Sequence, residues 1–177
     1  MRRRSGRRAA GAGIAIAAAS LIGAGCSQAL PLGQAPAAQQ HLSSAIVLQI
    51  VLSQPASPSG SCPAGSARLP RAAEEFPGSD QCYRRLGSPL TITSAAVTYI
   101  QQPANYGLMI SVPAEERPAL TAITTQAYHS QDPIAIIVAG KTWGVPNVAA
   151  PFTGQFEIPA QSASQALQLQ RTLIPSA

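Results

Sequence analysis

Between Cys82 and Leu173 the chain alternates apolar, β-branched runs with two helical patterns. That order of periodicities constrains the fold more than any other feature. Ala95 to Ile100 and Leu108 to Val112 read as strands, separated by a loop containing Pro103, Asn105 and Gly107. A helix must begin near Pro113 or Ala114, because Pro118 is tolerated only in a first turn, where no intrahelical N–H is needed. Leu120, Ile123 and Ala127 give that helix a buried stripe, and Glu115 and Glu116 fall at the positive end of its dipole. Ile134 to Ala139 is a continuous apolar strand. Gly140-Lys141 then reads as a type II′ hairpin turn returning through Thr142 to Val145, with Pro146 limiting that strand to an edge or an end. Gln155 to Ile158 is a last short strand. Ser162 with Gln165 forms a capping box opening a terminal helix, whose inner face is Ala163, Ala166, Leu169 and Leu173. Mixed strands, hairpins and two helices predict an α+β fold. Leu120, Ile123, Ile136, Val138, Leu169 and Leu173 are its expected core.

The rest of the chain is organised around that segment. Arg2, Arg3, Arg4, Arg7 and Arg8 precede an apolar run, Ala9 to Gly25, that stops at Cys26, which is the layout of an export signal. The run is short and only weakly apolar for a spanning helix. Small residues before Cys26 resemble a bacterial lipobox, although Gly23 stands where Leu is typical. Lipidation of Cys26 is therefore expected, with ordinary cleavage and secretion as the first alternative and an uncleaved anchor as the second. Residues 1–26 are read as signal and 27–41 as a flexible tether, whose polar Ala/Pro/Gln stretch has a reach of roughly 20 Å. Residues 42–177 are read as the domain. Within it, Ala45 to Leu52 is a buried strand, and 53–80 is a disordered Pro/Ser-rich loop of a length uncommon in a compact domain.

Charge and cysteine count narrow the function. Beyond the signal, seven basic residues (Arg68, Arg71, Arg84, Arg85, Arg117, Lys141 and Arg171) balance seven acidic ones. That leaves no basic stripe for neutralising phosphates, so no nucleic-acid partner is expected, and Arg84-Arg85 reads as a solvated pair. With Cys26 set aside for lipid, Cys62 and Cys82 remain. In an oxidising compartment they are expected to pair, closing a loop worth about 3 kcal/mol. No catalytic frame is found. His41 and His129 are the only histidines, and His129 with Asp132 supplies at most part of a metal site. No G-x-S-x-G elbow frames a serine, adjacent Glu115 and Glu116 point apart on a helix, and no Gly-rich phosphate loop is present. No cofactor or metal is expected. Trp143 has two readings, core packing beside the hairpin or an exposed aromatic anchor.

The runs CYRRLGSPLTIT, YGLMISVPAEERPALTAIT, DPIAIIVAGKTWGVPNVAAPFTGQFEIP and SASQALQLQRTL occur in this order from Cys82 to Leu173. In that order they resemble the head subdomain of the first large extracytoplasmic domain of the SecD protein-export family. The resemblance covers about half the chain. It implies a ferredoxin-like two-layer sandwich, a mostly antiparallel sheet with two helices on one face. Pro159 stands where the family usually turns on Gly, and the long Pro/Ser loop is an addition. SecD continues into several membrane helices where this sequence stops at Ala177, so the family's proton-driven motor is not expected here. The head subdomain works by contact and movement. The expectation is therefore a non-catalytic module, held by lipid on the outer face of the cell membrane, that binds an exported or membrane protein. The expected contact surface is a sheet edge or the hairpin carrying Gly140, Lys141 and Trp143. The alternative is a small exported ligand-binding lipoprotein or hydrolase unrelated to secretion, which would need a deep polar pocket.

Overall fold

The computed structural model describes residues 38–72, 81–102 and 105–174. The expected signal, Cys26 and most of the expected tether lie outside them. Six strands and two helices follow in the order β1 (Gln40–Pro55), β2 (Gln81–Gln102), β3 (Asn105–Ser111), α1 (Arg117–Ser130), β4 (Ile134–Val138), β5 (Lys141–Gly144), β6 (Gln155–Ala160) and α2 (Ala163–Leu173). The strands form one sheet in the order β5-β4-β1-β2-β3-β6, with every ladder antiparallel. The protein is thus α+β with an antiparallel sheet and two helices. The sheet, however, is curled into a half-barrel rather than laid out as one flat layer of a sandwich.

The curl has a local cause in the pairing of β1 with β2. Leu48 pairs with Leu90 and Ile50 with Leu86, so one residue of β1, Gln49, faces three of β2. Gly87 takes up the excess in the left-handed region at φ 64°, which L residues other than Gly rarely adopt. The Gln49 side chain is buried and donates from Nε2 to the carbonyls of Leu86 (2.8 Å) and Ile50 (3.1 Å), satisfying acceptors that the bulge frees. A second shift, between His41 and Ile46, bends β1 again. On the far side of the sheet β6 lies so close to β3 that a Cβ on Gly107 would stand 2.8 Å from the Ile158 carbonyl oxygen.

α2 packs across β1, β2, β3 and β6, and α1 reaches β2. Leu120, Ile123, Leu169 and Leu173 join Ile136 and Val138 in one main core, as the sequence pattern requires. α1 starts later than expected. Residues 114–116 form a turn, Glu116 is the N-cap without a side-chain cap bond, and proline sits within the first two helical positions. Glu115 and Glu116 therefore precede the first turn instead of occupying it. The forward half of the α2 capping box is present, with Gln165 N–H donating to Ser162 Oγ (3.2 Å), but Gln165 Oε1 accepts from the Gln161 N–H (2.6 Å), one residue before the cap, instead of from Ser162. Among the described residues no helix is long and apolar enough to cross a membrane.

Two expectations about the chain's loops are corrected. Gln40 and His41, assigned to the tether, pair with Ala95 and Ser94 at the start of β1. Residues 53–72 are not a structureless loop. Ser53, Gln54 and Pro55 finish β1, and the segment after them crosses the molecule as a strap; residues 73–80 lie outside the described ones. Ala67 exchanges two backbone hydrogen bonds with Tyr83 of β2 (3.0 and 2.9 Å). On β5, Thr142 donates to the Pro70 carbonyl (2.6 Å) and accepts from the Ala72 N–H (3.0 Å). Ala67 and Arg71 are four residue steps apart, which span about 14 Å when fully extended. In a flat sheet the same two positions, on opposite flanks of β2-β1-β4-β5, would be five strand spacings or roughly 24 Å apart. The strap therefore closes only over a sheet that has already curled. Leu69 packs beneath it on a second, smaller core of Val51, Tyr83 and Ala135.

Candidate functional site

The Cys62–Cys82 disulfide is formed, with a Cα–Cα separation of 5.5 Å. Cys82 is wholly buried beside Tyr83, so the covalent tie and the Ala67–Tyr83 backbone pair anchor the strap at neighbouring positions of β2. Burial raises the Tyr83 hydroxyl pKa, and the nearby Arg71 charge offsets part of that rise.

The hairpin expected at Gly140-Lys141 is displaced by one residue. Val138 pairs with Lys141, so Ala139 and Gly140 are the two turn residues, and both have positive φ (50° and 74°). Positive φ at both positions is the type I′ pattern, not II′. Gly140 was a sound signal for a turn, but the turn's other member is an alanine forced into the left-handed region, which nothing in its identity announces. Gly140 and Lys141 are exposed at the tip. Trp143 is not: it is 3% exposed and belongs to the main core. The reading of Trp143 as a surface anchor is corrected: Ile137 pairs with Thr142 and Ile136 with Gly144, so Trp143 is the extra residue of a bulge in β5, which breaks the alternation that would have kept it on the exposed face of Lys141. Its indole N–H and the Thr142 hydroxyl are buried without hydrogen-bond partners.

β6 is the other candidate surface. It ladders with β3 on one side, and among the described residues no ladder joins its other side. Pro159 has no N–H to give, so its ring nitrogen must face away from β3, on the outer edge. Strand alternation then puts the outward backbone groups at Gln155, Glu157 and Pro159, with donors at the first two only. The curl brings β5, the opposite end of the strand order, into contact with β6. The β6 edge is thus short, ends its outward donors at Pro159, and has β5 nearby without a ladder between them.

The remaining sequence candidates stay apart. His129 is exposed at the end of α1, its ring tilted on Tyr128 at 5.6 Å, and no hydrogen bond joins it to Asp132. Among the described residues no three His, Cys, Asp or Glu side chains gather as a metal site. Glu116 has one carboxylate oxygen buried without a partner, and its pKa is raised by burial and then by the Glu115 charge. Two threonines of α1 do a positioning task that sequence reading missed. Thr124 Oγ1 accepts from the Phe152 N–H (2.9 Å) and Thr121 Oγ1 donates to the Phe152 carbonyl (2.8 Å), which pins the segment leading into β6. Sequence reading also missed a hollow of ≈ 540 Å³ beside the strap, lined by Ser53, Ser57, Gly60, Arg68 and Gln81 among others. With this geometry established, comparison with protein-family models, curated proteins and solved structures returns no match.

Proposed function

We propose that this chain is a non-catalytic, extracytoplasmic protein-binding module, tethered to the outer face of the membrane through Cys26 and accessory to protein export. The observation that carries the reading is the one-sided ladder of β6. An extended segment of a partner can pair with its outward groups at Gln155 and Glu157 and must end its register at Pro159. Support for the extracytoplasmic part comes from the Cys62–Cys82 bond, since disulfides persist in oxidising compartments. The relation to the SecD head subdomain, with its ferredoxin-like layering, is part of the same proposal. Its support is the class of fold, an antiparallel sheet with two helices, together with the run of motifs from Cys82 to Leu173. The exposed Gly140-Lys141 tip belongs to the proposed surface, and Trp143 no longer does.

The test is photo-crosslinking from a benzophenone amino acid placed at Glu157 or, as a comparison, at Arg171 on α2, in the full chain expressed in its membrane. An exported or membrane protein trapped from Glu157 and not from Arg171 is the expected result. Equal trapping from both positions, or none from Glu157, overturns the edge assignment. A Cys26→Ser variant that remains with the membrane as the wild type does overturns the lipid tether.

A further inference from the structure

The strap gathers basic residues that are scattered in the sequence. Arg68 and Arg71 lie on it, and Arg84 and Arg85 follow Tyr83 on the strand it pairs with. Around the Ala67–Tyr83 pair, extended alternation turns Arg68 and Arg84 to one face, as diagonal neighbours about 7–8 Å apart at Cα. Both are exposed. The acidic residues among the described ones, Glu115, Glu116, Asp132 and Glu157, all lie on other elements. Arg68 Nη2 gives one hydrogen bond, to the Gly60 carbonyl (2.9 Å), out of the five donors of a guanidinium. Across the turn that Arg68 braces, the hydroxyls of Ser57, Ser59 and Ser61 lie 2.7–3.0 Å from one another. Ser57 Oγ also accepts from the Ser61 N–H and lies 3.1 Å from the Ser61 carbonyl, so an anion must draw a hydroxyl donor out of this small network. Ser57, Arg68, Ser53 and Gln81 line the same hollow.

We propose that this strap hollow binds a phosphoryl oxyanion, with Arg68 as the charged donor, the serine hydroxyls as neutral donors and Arg84 adding field from the same face. A planar guanidinium matches a phosphoryl group with paired donors, and a bond between charged partners is stronger than a neutral one, although salt weakens it in so open a place. The hollow is larger than one phosphate, so it suits a phosphodiester polymer as well as the free ion. This inference goes beyond the protein-binding reading and does not use the β6 edge, so either can fail while the other stands.

The test uses the full oxidised chain and three probes: inorganic phosphate, poly(glycerol phosphate), and polyglutamate of matched charge. Saturable binding of poly(glycerol phosphate) is expected, weakened at least about tenfold by Arg68→Gln, less by Arg84→Gln, and unchanged by Lys141→Gln. Binding of inorganic phosphate at similar affinity per phosphoryl group identifies the free ion as sufficient, and its absence identifies the polymer. Equal binding of polyglutamate overturns the phosphoryl assignment. No saturable binding by wild type, or an Arg68→Gln variant that binds as tightly, overturns the site. If Arg68→Gln fails to form the disulfide, Arg68→Lys and Arg84→Gln carry the comparison, and unchanged affinity in both counts against the proposal.

Discussion

The helix-covered part of the sheet and the strapped end are stabilised in different ways. Under α2 the interior is apolar and continuous: Leu108, Ile110, Ile158, Leu169 and Leu173 are wholly buried in one cluster. Under the strap the apolar cluster is only Val51, Tyr83 and Ala135, with Leu69, Ile137 and Val145 at its margin. What the strapped end lacks in packing it replaces with a covalent bond and two backbone bridges. The first region depends on the unfolded chain's aversion to water, and the second on limiting how far that chain can spread. They should therefore respond to different insults.

The largest expected effect is in the helix-covered half. Leu169→Ala opens a cavity in a fully buried site and should cost about 2–5 kcal/mol in urea unfolding, with the disulfide intact. A loss under 1 kcal/mol would show that the core beneath α2 is not what holds the sheet. Next is the strapped end. Cys62→Ser with Cys82→Ser removes a cross-link between positions 20 apart, worth about 3 kcal/mol in the chain-entropy model. Its local signature should be faster hydrogen exchange at Ala67 and Tyr83 beyond the common loss that the core amides of α2 share through the lower global stability. Uniform loss across both regions would erase the distinction. The smallest effect concerns neither core. Glu116 has a raised carboxyl pKa, so its ionised form is disfavoured in the folded state. Its favourable contribution is present below the unfolded pKa and is lost as pH rises through the higher, folded one. Glu116→Gln should accordingly raise the melting temperature slightly at neutral pH and leave it unchanged in acid. The opposite sign would mean that the carboxylate has a partner in solution.

The sequence was most readable where side-chain pattern and backbone agree. α2 carries its Ser162 cap and most of its expected inner face, with Ala166, Leu169 and Leu173 buried and Ala163 half-buried. β4 was found from its apolar run, which ends one residue early because Ala139 enters the turn. Reading failed where tertiary contacts overrule local signals. A strand was expected only from Ala95, yet β2 begins at Gln81 and runs through Leu86-Gly87-Ser88-Pro89, where Gln49 of β1 takes the freed Leu86 carbonyl. A polar residue inside AIVLQIVL was the only trace of that clamp. The strap was hidden for a similar reason. Its composition forbids a helix and offers little to a core, and its order comes from two edges that the sequence does not place side by side. The hollow beside it was hidden with it, and the even balance of charge concealed the gathering of arginines.

The strap also fixes an order of events in time. Its bridge to Tyr83 joins neighbours along the chain, and its bridge to Thr142 waits for β5, far downstream. Near contacts close sooner than distant ones, since the entropy of loop closure grows with the chain between them. Cys82 ends fully buried, so its oxidation belongs to the early period, before that end is sealed. A chain arrested between those two moments would carry a finished disulfide and an open barrel mouth, with Val51 and Ala135 still in reach of solvent. Such an intermediate should be recognisable by alkylation resistance combined with dye binding, and its lifetime measures how long β5 takes to arrive.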